Sequence, residues 1–319
     1  MRFIAPGAEI GRRFPALALA GALSLSLAAC GGGAAANPPA SADTGAVAPT
    51  EAPAESASAA PTPSTVTVQV EQTIWFAGFK VAFGAATSEL TPGRGGEVSI
   101  EATFENTGDE SGTFDGSLNL ASAGENATEG MGMDLPSVPG GQTGKGTLAF
   151  AVEDSFTFDD AVLTVGRTGN QQATVPLTAT AGTAVTLEPV AIALTGSGTA
   201  GDLKLELNDG EIRADQPWNH GQLEEGSFVL TVNYDASFVS DFAGGFAFTA
   251  ENVALRLPDG TTVGVIQDGE SQSLELIGPN TTAKDQFSRF EIEDPAAGEY
   301  VVLVRSFDNA EDEIPFSIK

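Results

Sequence analysis

Cys30 is the only cysteine and His220 the only histidine among 319 residues, so the chemistry open to the chain can be narrowed at once. A Ser-His or Cys-His nucleophile would have to use His220, and no Gly-x-Ser-x-Gly turn accompanies it. One imidazole and one thiol cannot assemble the usual zinc ligand set. Adjacent carboxylates such as Asp159 with Asp160, or Glu224 with Glu225, point to opposite faces if they lie on a strand, which is poor geometry for glycoside hydrolysis. The sequence therefore predicts no catalytic residue, no cofactor and no enzyme.

Hard cations take clusters of oxygen ligands, and two stretches are rich in them. One is Asp308, Asn309, Glu311, Asp312 and Glu313. The other is Asn208, Asp209 and Glu211. Neither has the spaced Asp and Gly pattern of an EF-hand loop, so the reading favoured here is solvated turns, with calcium as the ligand to test. Trp218 and His220, in the run Gln216, Pro217, Trp218, Asn219, His220, Gly221, are the candidate contact residues. An aromatic in a polar loop is either an interaction anchor or the lid of the loop it sits in. Trp75, between Ile74 and Phe76, reads as strand packing.

The elements that must position these residues read as β throughout. From Val66 onward short alternating apolar runs are broken by Gly, Asn, Asp and Pro. Val98, Ile100, Ala102 and Phe104 alternate with Ser99, Glu101, Thr103 and Glu105, one face buried and one wet. Gly78 marks a bend or bulge in the run from Ile74 to Phe83. Further strands are expected at 114–120, 145–152, 160–165 and 173–177.

The pattern recurs 125 to 130 residues later. Val190, Ile192 and Leu194 echo Val66, Val68 and Val70. Leu203, Lys204, Leu205 and Leu207 echo Phe79, Lys80, Val81 and Phe83, and Phe228 to Tyr234 matches Val98 to Phe104. We read a diverged duplication: an all-β chain with antiparallel sandwich modules at 65–184 and 185–319, each long enough for the strands of an immunoglobulin-like fold.

Ahead of the modules, Arg2, Arg12 and Arg13 precede an apolar run from Phe14 to Ala29, the layout of a secretory leader. The run is short for a membrane-spanning helix, with Pro15 at its start. Leu27, Ala28, Ala29, Cys30 resembles the lipobox of bacterial lipoproteins. That resemblance implies cleavage after residue 29, acylation of Cys30 and anchoring on the extracytoplasmic side of the cell envelope. Residues 30–64, almost all Gly, Ala, Pro, Ser and Thr, have no periodicity to bury and are expected to form a disordered tether. As a random coil it would span roughly 30 Å.

Val98 to Gly108, ending in Asn106, Thr107, Gly108, and Pro139, Gly140, Gly141 ahead of Leu148, Phe150 and Val152, also resemble immunoglobulin-like modules of uncharacterised function in bacterial lipoproteins. That resemblance implies a fold and a location and brings no reaction.

The formal charge is −29, and cleavage before Cys30 would remove Glu9 with three arginines, taking it to about −31. Such a surface repels nucleic acid and anionic lipid. The expected function is non-catalytic: protein interaction, adhesion or envelope structure, with the membrane reached through Cys30 and another envelope or surface protein as partner. The competing reading is a cation- or solute-binding lipoprotein.

Overall fold

A computed structural model of the chain describes residues 61–122, 127–269, 271 and 275–319. The leader, Cys30 and nearly all of the tether lie outside the described residues. No α-helix occurs among the described residues; Ala250–Asn252 is a 3₁₀ turn capped by Thr249.

The first half runs β1 (Ser64–Gln69), β2 (Thr73–Phe76), β3 (Phe79–Thr91), β4 (Gly95–Asn106), β5 (Gly112–Thr113), β6 (Leu118–Ala121), β7 (Thr128–Glu129), β8 (Met131–Met133), β9 (Ser137–Val138), β10 (Thr143–Val152), β11 (Val162–Val165) and β12 (Ala173–Pro176). The second runs β13 (Val190–Ile192), β14 (Gly196–Ala200), β15 (Leu203–Arg213), β16 (Asp215–Gln216), β17 (Gly221–Gln222), β18 (Ser227–Phe238), β19 (Phe246–Phe248), β20 (Val253–Arg256), β21 (Thr262–Gly264), β22 (Glu275–Ile277), β23 (Thr281–Glu293), β24 (Gly298–Arg305) and β25 (Glu311–Ile318).

All pairings are antiparallel, and the two halves share one strand order apart from β8, which extends the first. In the first, β1 and β2 both pair with β3, followed by β4, β10 and β8, and the second sheet is β12-β11-β6-β7. In the second, β13 and β14 both pair with β15, followed by β18 and β23, and the second sheet is β25-β24-β20-β21. The long strand β3 bulges at Gly84 and Ala85, and its counterpart β15 at Asn208, each where the edge partner changes. A bulge twists the strand and lets two short neighbours share it.

Period-2 alternation decides which residues go inside. Val98, Ile100 and Phe104 of β4 are fully buried and meet Leu120, Leu163 and Val175 from the facing sheet in one core. Leu230, Val232 and Tyr234 of β18 do the same against Leu255, Val302 and Ile314. At roughly 1.5–3 kcal/mol per fully buried large apolar side chain, these two cores are what hold the sheets together. Tyr234 is the polar exception, and its hydroxyl shares a 2.8 Å hydrogen bond with Ser288.

The all-β, antiparallel sandwich expectation is met. Gly78 is neither a bulge nor a smooth bend. With Ala77 it forms a two-residue hairpin turn, both at positive φ (+49° and +78°), between paired Phe76 and Phe79. Two such residues are what a hairpin turn matching the strand twist requires. The expected strand at 114–120 starts only at Leu118, because Phe114 turns inward from irregular chain to meet Phe76, Phe79 and Phe104.

Candidate functional site

Trp218 and His220 lie in the hairpin between β15 and β18, and this hairpin docks on the first half. Asp215 is 3% exposed and holds Arg213 through Nε at 2.8 Å and Nη2 at 3.3 Å. Its Oδ2 also accepts the backbone N–H of Gly78 at 2.6 Å. Burial pulls the Arg213 pKa down, but Asp215 and then Glu211 outweigh it and the net shift is upward.

The seat is built from close backbone approaches. A Cβ on Gly78 would lie 2.9 Å from Pro217 Cα, one on Gly108 would lie 2.5 Å from Pro217 O, and one on Gly112 would strike the His220 ring. His220, at φ +53°, packs its ring 5.0 Å from that of Phe79, tilted by 35°, and brings Nε2 to 3.3 Å from Asn106 Oδ1. The Asn106 amide nitrogen already donates to Glu110 O and Val138 O, so Oδ1 is an acceptor and His220 Nε2 carries the proton. Further along, Gln171 Nε2 donates to Ser227 O at 2.9 Å and Gln222 Nε2 to Gln171 O at 2.7 Å.

Trp218 faces the other way, under the guanidinium of Arg289, whose Cζ is 4.0 Å from the ring centroid. Arg289 in turn pairs with Asp268 at 2.7 Å. Both sequence candidates are thus half-buried, His220 against the first half and Trp218 against the sheet of its own half.

The oxygen-rich stretches do not converge. Glu311 pairs with Arg305 at 2.7 Å, and Glu313 receives both terminal nitrogens of Arg256 at 2.7 Å. Asp312, on the opposite face of β25, accepts the Thr199 amide at 2.6 Å. Asp308 accepts from the Ser306 hydroxyl and the Ala310 amide. Asp209 is held by Asn233, Asn208 donates to Asp235 and Glu211 approaches Arg213. Among the described residues, no three His, Cys, Asp or Glu side chains are grouped to hold a metal ion. Asp160 serves locally, accepting from Ser122 and Thr157.

Sequence reasoning missed the opposite end of the second half. There the turn Gly201–Asp202, the loop after β18 and the loop between β24 and β25 surround an open depression of about 300 Å³. Phe238 and Phe246 are buried at its base, and Phe242 and Phe307 stand 67% and 63% exposed. Phe307 stacks on Phe246, ring centroids 4.8 Å apart. Leu276 and Val239, also exposed, flank it. These side chains leave an exposed apolar surface at this end of the second half.

Fold and site together define an all-β protein of antiparallel sandwich halves whose best-built polar constellation locks those halves to each other. No protein-family profile matches the chain, and no curated protein matches it. Among solved structures it is similar to a functionally unknown protein from Listeria monocytogenes EGD-e, at 12% identity over 41% of this chain and 88% of that one, with a TM-score of 0.30. It is also similar to a conserved domain protein from Bacillus anthracis, at 13% identity over 79% of this chain and 90% of that one, with a TM-score of 0.23. No function is carried over from either.

Proposed function

We propose that the chain is a lipid-anchored, extracytoplasmic contact protein: acylated at Cys30, held off the bilayer by the 30–64 tether, and made of tandem immunoglobulin-like modules that bind another envelope or surface protein without catalysis. One observation carries this reading. The end of the first half formed by residues 77–78, 107–112 and 166–171 is sealed by the β15–β18 hairpin, whereas the equivalent end of the second half is open and apolar. Polar side chains that could have formed a reactive cluster, Arg213, Asp215, His220 and Asn106, are engaged in the seal.

Mass spectrometry of the mature N-terminus, combined with protease treatment of intact cells, tests the anchoring and the exposure. The expected result is a lipid-modified Cys30 at the first position and degradation of the modules by added protease. An unmodified thiol, or modules protected until the cells are lysed, overturns the proposal.

A further inference from the structure

We infer that the open end of the second half is a receptor for a basic protein segment, taking a lysine or arginine side chain into the depression lined by Phe242 and Phe307. This deepens the reading of the chain as a contact protein and rests on it.

The internal duplication supplies the first argument. Counted from the hairpin turns, Gly201–Asp202 corresponds to Ala77–Gly78, the loop after β18 to the loop after β4, and residues 306–310 to residues 166–172. In the first half all three of these segments touch a protein hairpin. In the second, the same three line the depression. Asn106, which organises the sealed end, corresponds to Phe238, since each pairs with the first residue after its turn. An end built for polar docking has thus become an aromatic one.

The wall chemistry supplies the second. Aromatic faces attract cations within about 6 Å. Among the described residues, the remaining polar side chains of the depression are Asp202, Asp308 and Ser306, and no lysine or arginine lines it. The Ser306 hydroxyl and then the Ala310 amide hold the Asp308 carboxyl below the usual aspartate range, so it stays charged in mildly acidic surroundings. A chain of charge −29 repels acidic partners and other copies of itself, and draws basic ones in. The hairpin that seals the first half is itself engaged at the junction.

The experiment uses detergent-solubilised full chain and two probes, octa-arginine and octa-lysine peptides, with octa-glutamate as control. Phe242→Ser with Phe307→Ser and, separately, Asp202→Asn with Asp308→Asn are each expected to weaken binding of the basic probes about tenfold. Glu97→Gln with Glu101→Gln, which removes the same charge on the outer face of β4, is expected to change it less than about twofold. Unchanged binding in the Phe242/Phe307 variant, or an equal loss in the Glu97/Glu101 variant, overturns the inference. So does self-association in sedimentation that Phe242→Ser with Phe307→Ser relieves. A photo-crosslinker at position 242 separates the two levels: adducts to an acidic partner on intact cells sink only this inference, and the absence of any protein adduct sinks the contact role itself.

Discussion

The backbone amide of Gly78 and the carboxylate of Asp215, 137 residues apart in sequence, meet at 2.6 Å. That bond ties the β2–β3 turn of one sandwich to the β15–β18 hairpin of the other. Arg213 pairs with that buried carboxylate through both Nε and Nη2. A buried carboxylate without its guanidinium would be too costly to hold there.

Removing Asp215 should therefore be expensive. Asp215→Ala leaves Arg213 buried without its main partner and is expected to lower stability by about 3 kcal/mol in equilibrium denaturation. Adding Arg213→Met should recover more than half of that. A loss below about 1 kcal/mol would show that the pair does not hold the junction.

Gly108 tests the seat without touching charge. In Gly108→Ala the new methyl meets the Pro217 carbonyl, a backbone atom that cannot swing aside. A cost of about 1–3 kcal/mol is expected, localised to the junction. Hydrogen exchange should quicken at Gly78 and across 215–227 while the amides of Phe104 and Val232 stay protected.

At the open end, exposure separates the two roles of phenylalanine. Phe242→Ser should change stability by no more than about 0.5 kcal/mol, since its ring gives up little burial. Phe246→Ala, which empties a buried site under Phe307, should cost about 3–5 kcal/mol. Equal costs would mean that Phe242 is a structural residue.

Acid titration has a defined sign. The hydrogen bond from Arg256 holds the Glu313 carboxyl below the ordinary glutamate range, and Glu313 raises Arg256. Because the folded value is the lower one, the pair's contribution is present above the ordinary glutamate value and is lost as pH falls through the depressed one. Carboxyl chemical shifts should place the Glu313 midpoint below that of exposed glutamates, and Arg256→Gln should return it to the ordinary range.

Strand positions were legible wherever one face is buried, because alternation such as Val98, Ile100, Phe104 records the inside directly. The strand order common to the two halves was legible in outline too, but its register was not. The sequence correspondence sets Tyr234 against Phe104, while counting from the turns sets Ala236 there, two residues on. A two-residue slip keeps the same face inward, so apolar alternation alone cannot detect it. The open end left no pattern in sequence, since Phe242 and Phe307 come from loops 65 residues apart that only the fold brings together. His220 stood out as a lone histidine, but its partner Phe79 reads as plain core until the hairpin is seen to dock.

The central claim is that the open end of the second half meets a partner while the rest of the surface does not. Its most direct test places a photo-crosslinking phenylalanine analogue at position 242 in cells, with Met131 and Val190, both exposed elsewhere, as comparison sites. The account predicts a discrete protein adduct from position 242 and none from 131 or 190. No adduct at 242, or the same adducts from all three positions, would contradict it.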